Sequence, residues 1–209
     1  DALQAGKASQ VNVRLRGNLN DMPFNDPKQG EFRIVVPVTD GQYAYVPSAP
    51  VKGKGPVASG WPALTHVNGE LVFDRGSLHF KGRTQLASAP DVTWQKVEAH
   101  IPNLSHGVVS VTGEGRGPLQ QVLDTVAKTA LNDLTGGVLN QSQASGEAAY
   151  KLSLTLPLEE LDKTQLQGSV SFSDNALQVI PGTPVLNRTR GTLQFSEQGF
   201  QLKAMQAQL

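Results

Sequence analysis

The chain has 209 residues, with 18 basic and 18 acidic side chains and no cysteine. The length suffices for one or two domains with a real core. Balanced charge argues against a nucleic-acid backbone as partner, and the missing cysteine excludes disulfides, thiolate metal sites and a cysteine nucleophile.

In chain order, Val11-Asn-Val13-Arg-Leu15-Arg alternates apolar and polar residues and reads as a strand. Residues 20–30 hold two prolines and several Asx residues and read as loop. Phe32–Val38 reads as a strand, closed by an Asp40-Gly41 turn before Tyr43-Ala-Tyr45. Residues 47–60, rich in Pro, Gly, Ser and Lys, read as a second loop. Further strands are expected through Leu86, over Val92–Ile101 and over Val108–Gly115. Gly113-Glu-Gly115-Arg-Gly117 lacks the Lys-Ser/Thr of a phosphate loop and reads as a turn and helix cap. One amphipathic helix is expected at about 118–135. Pro118 opens it, Leu119, Val122, Leu123, Val126, Ala130, Leu131 and Leu134 form its stripe, and Gly136-Gly137 ends it. Strict alternation resumes at Leu152, Leu154, Leu156 and Leu158.

A phrase recurs three times: Gly69-x-Leu71-x-Phe73 with Leu78-x-Phe80, Gly168-x-Val170-x-Phe172 with Leu177-x-Val179, and Gly191-x-Leu193-x-Phe195 with Phe200-x-Leu202. Repetition at fixed spacing marks a repeat architecture. The internal period of two places alternate side chains on one face, so Leu71 and Phe73 oppose Glu70, Val72 and Asp74. The four residues after each Phe are turn-rich, so each phrase reads as a β-hairpin. A unit with one apolar face cannot bury it alone, so the units are expected to join edge to edge into one long, curving antiparallel sheet. The same side chains would also fill a closed β-sandwich core. The helix is expected to cap part of the apolar face; a membrane-surface helix wants a basic polar face, and this one holds Lys128 against Asp124 and Asp133.

Chemistry-bearing motifs are scarce. His66, His79, His100 and His106 show no metal-ligand spacing, although His100 and His106 flank a turn. Asp21, Asn25 and Asp26 do not match a calcium loop, and no nucleophile elbow occurs. Trp61 and Trp94 read as core anchors. No apolar run approaches the roughly 18 residues that span a bilayer, and no signal-peptide pattern opens the chain. Both termini read as cut, which suggests a piece of a longer protein.

Phe32-Arg-Ile-Val-Val, Trp61-Pro-Ala-Leu64 leading into Gly69-Glu-Leu-Val-Phe73, Gly117-Pro-Leu119, Gly146, Leu152-Ser-Leu-Thr-Leu-Pro-Leu158 and Gly191-Thr-Leu-Gln-Phe195 with Gly199-Phe200 stand in an order that resembles the YhdP family of AsmA-like proteins. The resemblance covers the chain from about residue 31. It implies a periplasmic protein anchored in the inner membrane of a Gram-negative bacterium, similar to bridge-like lipid-transfer proteins. It implies no catalytic machinery and no cofactor. The fold it implies is mainly β, a curved antiparallel sheet of repeated hairpins forming an open apolar groove. One continuous segment is expected over 1–209: a β-rich part at 1–116, helix and loop at 117–139, and a second β-rich part at 140–209. Phospholipid acyl chains are the expected partner, along with adjacent segments of the same parent chain. The groove residues are then Leu71, Phe73, Leu78, Phe80, Leu152, Leu154, Leu156, Val170, Phe172, Leu193 and Phe195. The competing expectation is a structural module that pairs through its sheet edges without lipid.

Overall fold

The computed structural model describes residues 3–24, 26–44, 60, 62–129, 131–160 and 163–209. Asn25, Tyr45, Trp61, Ala130 and nearly all of the 47–60 loop lie outside the described residues, as do the side chains of Asp133 and Leu134.

Among the described residues twelve strands form a single antiparallel sheet. They are β1 (Leu3–Ala8), β2 (Asn12–Gly17), β3 (Gly30–Tyr43), β4 (Leu64–Asp74), β5 (Ser77–Leu86), β6 (Ala89–Ile101), β7 (Val108–Pro118), β8 (Gln143–Ser145), β9 (Glu147–Pro157), β10 (Gln165–Gln178), β11 (Leu186–Ser196) and β12 (Gly199–Gln208). The spatial order is β1-β3-β4-β5-β6-β7-β9-β10-β11-β12. β2 continues the β1 edge along β3, and β8 continues β9 along β10. Nearly every strand therefore neighbours its successor in sequence, as short antiparallel connections dictate. The sheet is curved and open, not closed into a barrel. The closed sandwich is thus excluded for the described residues.

The first and third phrases are hairpins, β4–β5 turning at Asp74–Ser77 and β11–β12 at Ser196–Gly199. The second is not. Ser173-Asp-Asn-Ala176 lies inside β10, where Asp174 takes a left-handed φ of 66° and the pairing with β11 shifts register. Asp40-Gly41 likewise bulges within β3 and does not end it. Left-handed residues also interrupt β4 at His66, β6 at Lys96, β11 at Arg188 and β12 at Ala204. A bulge bends its strand and sharpens the local twist. Those in β3, β4 and β6 form one line across the sheet, with β5 between the last two, and those in β10, β11 and β12 form a second line. The ladder between β7 and β9 has no register shift. The sheet is therefore regular at its centre and bent on both flanks.

The glycines that lead the phrases sit where backbones crowd. A Cβ on Gly69 would collide with the carbonyl oxygen of Lys81, and one on Gly168 would stand 2.5 Å from both the Lys151 carbonyl oxygen and Cζ of Phe195. Aromatic rings lie over other glycines too: Phe80 over Gly82, and Trp94 over Gly113 and Gly115. This is the aromatic cover that restores packing at strand glycines. Gly113–Gly117 is accordingly strand, not the turn its composition suggested. Gly69→Ala is expected to lower stability by about 2 kcal/mol, because the obstacle is backbone and cannot rotate away; a urea denaturation midpoint equal to wild type would refute this.

Between β7 and β9 the chain leaves the sheet. Helix α1 (Leu119–Lys128) and the short α2 (Leu131–Leu134) replace the single helix expected at 118–135. Thr129 is extended, and its hydroxyl accepts the Leu131 N–H at 3.4 Å. A β-branched residue able to satisfy a free backbone donor ends one helix and caps the next.

Candidate functional site

Residues directly opposite in neighbouring strands share a face, so the register defines rows that cross the strands. The first row holds Ile34, Phe73, Leu78 and Ile101, and further on Val109 and Leu156. The second is Val36, Leu71, Phe80, Ala99, Val111, Leu154 and Leu166. The third holds Val38, Gly69, Gly82 and Val97, then Gly113, Leu152, Gly168, Phe195 and Phe200. No member of these rows is charged, and no helix among the described residues packs on them.

Two further rows lie toward the helix. Trp94, Gly115, Tyr150, Val170 and Leu193 form the fourth; Gly117, Ala148, Phe172 and Gly191 form the fifth. Here α1 packs down. Leu119 and Leu123 join Ala89, Val92, Ala148, Tyr150 and Phe172 in the buried core, with Trp94, Val170 and Leu193 against it. The Tyr150 hydroxyl donates to the Gly117 carbonyl at 3.1 Å. Burial, and then the nearby Glu147 charge, push its pKa well above the ordinary tyrosine range, so the group stays a neutral donor.

The opposite face is polar and wet. It carries cross-strand ion pairs: Arg33–Asp74 at 2.6 Å, Lys81–Glu98 at 3.1 Å, Lys96–Glu114 at 2.6 Å and Arg190–Asp174 at 2.7 Å. Exposed pairs of this kind contribute little each, but they keep charge off the apolar rows. Glu70, Lys81, Glu98, His100, Lys151, Ser153 and Gln167 are exposed on this side, whereas the large side chains of the rows, Phe200 at the β12 edge apart, are buried or half-buried. Among the described residues no helix or strand packs over the first three apolar rows, in which Val97 and Leu156 are nonetheless buried.

Asp174 sits at the β10 bulge. Its bidentate hydrogen bonds from Arg190, with a minor contribution from Arg188, hold its pKa below the usual carboxylate range. A depressed carboxylate stabilises the fold above its unfolded-state pKa and ceases to as pH falls through the lower folded-state value. Asp174→Asn is thus expected to cost stability at neutral pH and nothing at strongly acid pH; a cost independent of pH would refute the pairing.

The structure distributes the sequence-derived groove residues over all five rows. Leu71, Phe73, Leu78, Phe80, Leu152, Leu154, Leu156 and Phe195 lie on the bare part. Val170, Phe172 and Leu193 lie under or against the helix. Sequence reasoning missed Ile34, Val36, Ala99, Val109, Val111 and Leu166. Alternation in Val109-Ser-Val111 and Leu166-Gln-Gly168 carried the signal; in Phe32–Val38 apolar residues on both faces hid it.

The histidines scatter. His66 pairs with Asp40 at 2.7 Å, and His79 meets His100 edge-on at 5.7 Å between ring centroids. His106 is in the exposed turn after β6. Among the described residues no group of three or more His, Asp or Glu is placed to hold a metal, and no helix is long and apolar enough to cross a membrane.

Compared with known proteins, the chain matches the family model described as YhdP protein over residues 1–209. No curated protein and no solved structure matches.

Proposed function

The chain belongs to the YhdP family, and from that premise we propose that it is a non-enzymatic phospholipid-handling module of the Gram-negative envelope. In this reading the first three rows are the floor of a groove. Acyl chains lie across the strands, and head groups stay in water along the open side. The groove stands in the periplasm, within a parent protein held at the inner membrane, and carries lipid toward the outer membrane. Neighbouring segments of that parent pair with the edge strands.

One observation carries the proposal. An unbroken apolar strip crosses the sheet from β3 to β12, and no described helix or strand packs over it. Hydrocarbon needs a continuous dry surface and no directed hydrogen bonds, and each buried methylene contributes roughly 0.8 kcal/mol. The second reading, a structural module that pairs through its edges, draws on Val13 at 60% exposed in β2 and Phe200 at 75% in β12. Both rim the same strip, so edge pairing extends the groove and does not compete with it.

The test is a photoreactive amino acid at position 154 or 153, on opposite faces of β9, in protein incubated with phosphatidylglycerol vesicles. Lipid adducts are expected at 154 and not at 153. Equal adducts at both, or none at either, would reject a one-sided groove.

A further inference from the structure

Resting on that reading, we infer that the excursion between β7 and β9 is a fixed, one-sided cover that narrows the floor to a path wide enough for a two-chain lipid and too narrow for one with six chains. Pro118 and Glu147 are directly paired across β7 and β9. Residues 119–142 thus leave the sheet and the chain returns through β8, paired with β10, to resume beside the residue it left, where a two-residue turn would close the β7–β9 hairpin. The sheet does not need the excursion for its connectivity.

The excursion is clamped at both flanks. On one side Gln121 and Asp91 bond reciprocally: Gln121 Nε2 donates to Asp91 Oδ2 at 2.7 Å, and the Asp91 N–H donates to Gln121 Oε1 at 3.1 Å. The Thr125 and Ser88 hydroxyls meet at 2.9 Å. On the other side Gln120 Oε1 accepts the Ala144 N–H at 2.7 Å, and the Ser142 hydroxyl donates to the Val179 carbonyl at 2.9 Å. Thr125 and Ser142 are buried. Polar anchors on two sides, with Leu119 and Leu123 in the core between them, describe a stopper and not a hinged lid.

Its effect on the floor follows from the rows. From Leu156 to Leu152, the bare part of β9, is four residues, or roughly 13 Å at the rise of a strand. That is room for about three extended hydrocarbon chains side by side at contact distances of about 4 Å. Continuing to Ala148 would double the width to roughly 26 Å, and this second half is what the helix occupies. The width of the path is therefore set by the excursion and not by the length of the strands.

The experiment uses the full chain and a variant in which residues 119–146, the short strand β8 included, are replaced by Asn-Gly. Photoreactive residues stand at 154 or at 170, and the vesicles contain phosphatidylglycerol, with two chains, or hexa-acylated lipid A. In the intact chain, phosphatidylglycerol is expected to label position 154 and not 170, and lipid A to label neither. In the variant, 170 is expected to rise to the level of 154 and lipid A to be taken. Labelling at 170 or uptake of lipid A by the intact chain overturns the inference. So does a variant that keeps its β-sheet circular dichroism and still excludes lipid A. If the variant fails to fold, the intact-chain arms decide. No phosphatidylglycerol labelling anywhere in the intact chain strikes instead at the proposed function.

Discussion

Asn175→Leu is expected to destabilise the chain by about 3 kcal/mol, since each buried polar group left unpaired costs about 1–3 kcal/mol. Asn175 is fully buried. Its side-chain oxygen accepts the Ser173 N–H at 2.9 Å, and its amide donates to the carbonyls of Ser145 at 3.0 Å and Glu147 at 3.1 Å. Those carbonyls flank Gly146, at φ 84°, where β8 breaks from β9. One side chain therefore closes a gap between two strands and braces a bulge in a third. Leucine keeps the volume and removes all three bonds, so the change isolates the polar contribution from the cavity term. A loss below about 1 kcal/mol in urea denaturation would mean that water reaches these groups and that the break is not held from β10.

Leu154→Asp is expected to abolish bound phosphatidylglycerol while shifting the folding free energy by about 1 kcal/mol or less, the range for strand positions not packed under another element. Leu154 lies mid-strip, between Val111 and Leu166 in register, and is half-buried with no described element above it. Hydrocarbon crossing that point would have to strip water from an unpaired carboxylate, which costs more than the methylenes laid beside it return. Ser153→Asp, one residue away and facing the ion pairs, is expected to change neither quantity. Native mass spectrometry after exposure to phosphatidylglycerol vesicles reads the first and urea denaturation the second. Undiminished lipid on the Leu154→Asp variant would remove the apolar strip from the mechanism.

The one-faced sheet was legible because alternation is a local property of each strand. Leu152, Leu154 and Leu156 announce their common face with no knowledge of the partner strands. The bulges were not legible, because bulges and turns call on the same residues. Asp174-Asn175 and Asp40-Gly41 tolerate left-handed backbone, and composition does not say whether the chain reverses afterwards or continues. Gly113, Gly115 and Gly117 misled for a related reason: the Trp94 ring on the next strand lies over the first two, a contact invisible in their own segment. Strands as short as β8 have too few residues to show a period. The split between helix-covered and bare rows was hidden too, since Phe172 and Phe73 occupy the same position of the same phrase. Only the return of the chain over β9 and β10 separates their roles.

Because β-strands stand about 4.8 Å apart, the ten strands of the main path give a sheet about 43 Å from end to end. Reach in such a molecule is counted in strands. Each hairpin gained or lost alters it by a fixed step of about 9.6 Å and leaves the cross-section as it was. Under the proposed function, selection could thus match span to the gap between two bilayers by duplication alone, without redesigning the apolar surface.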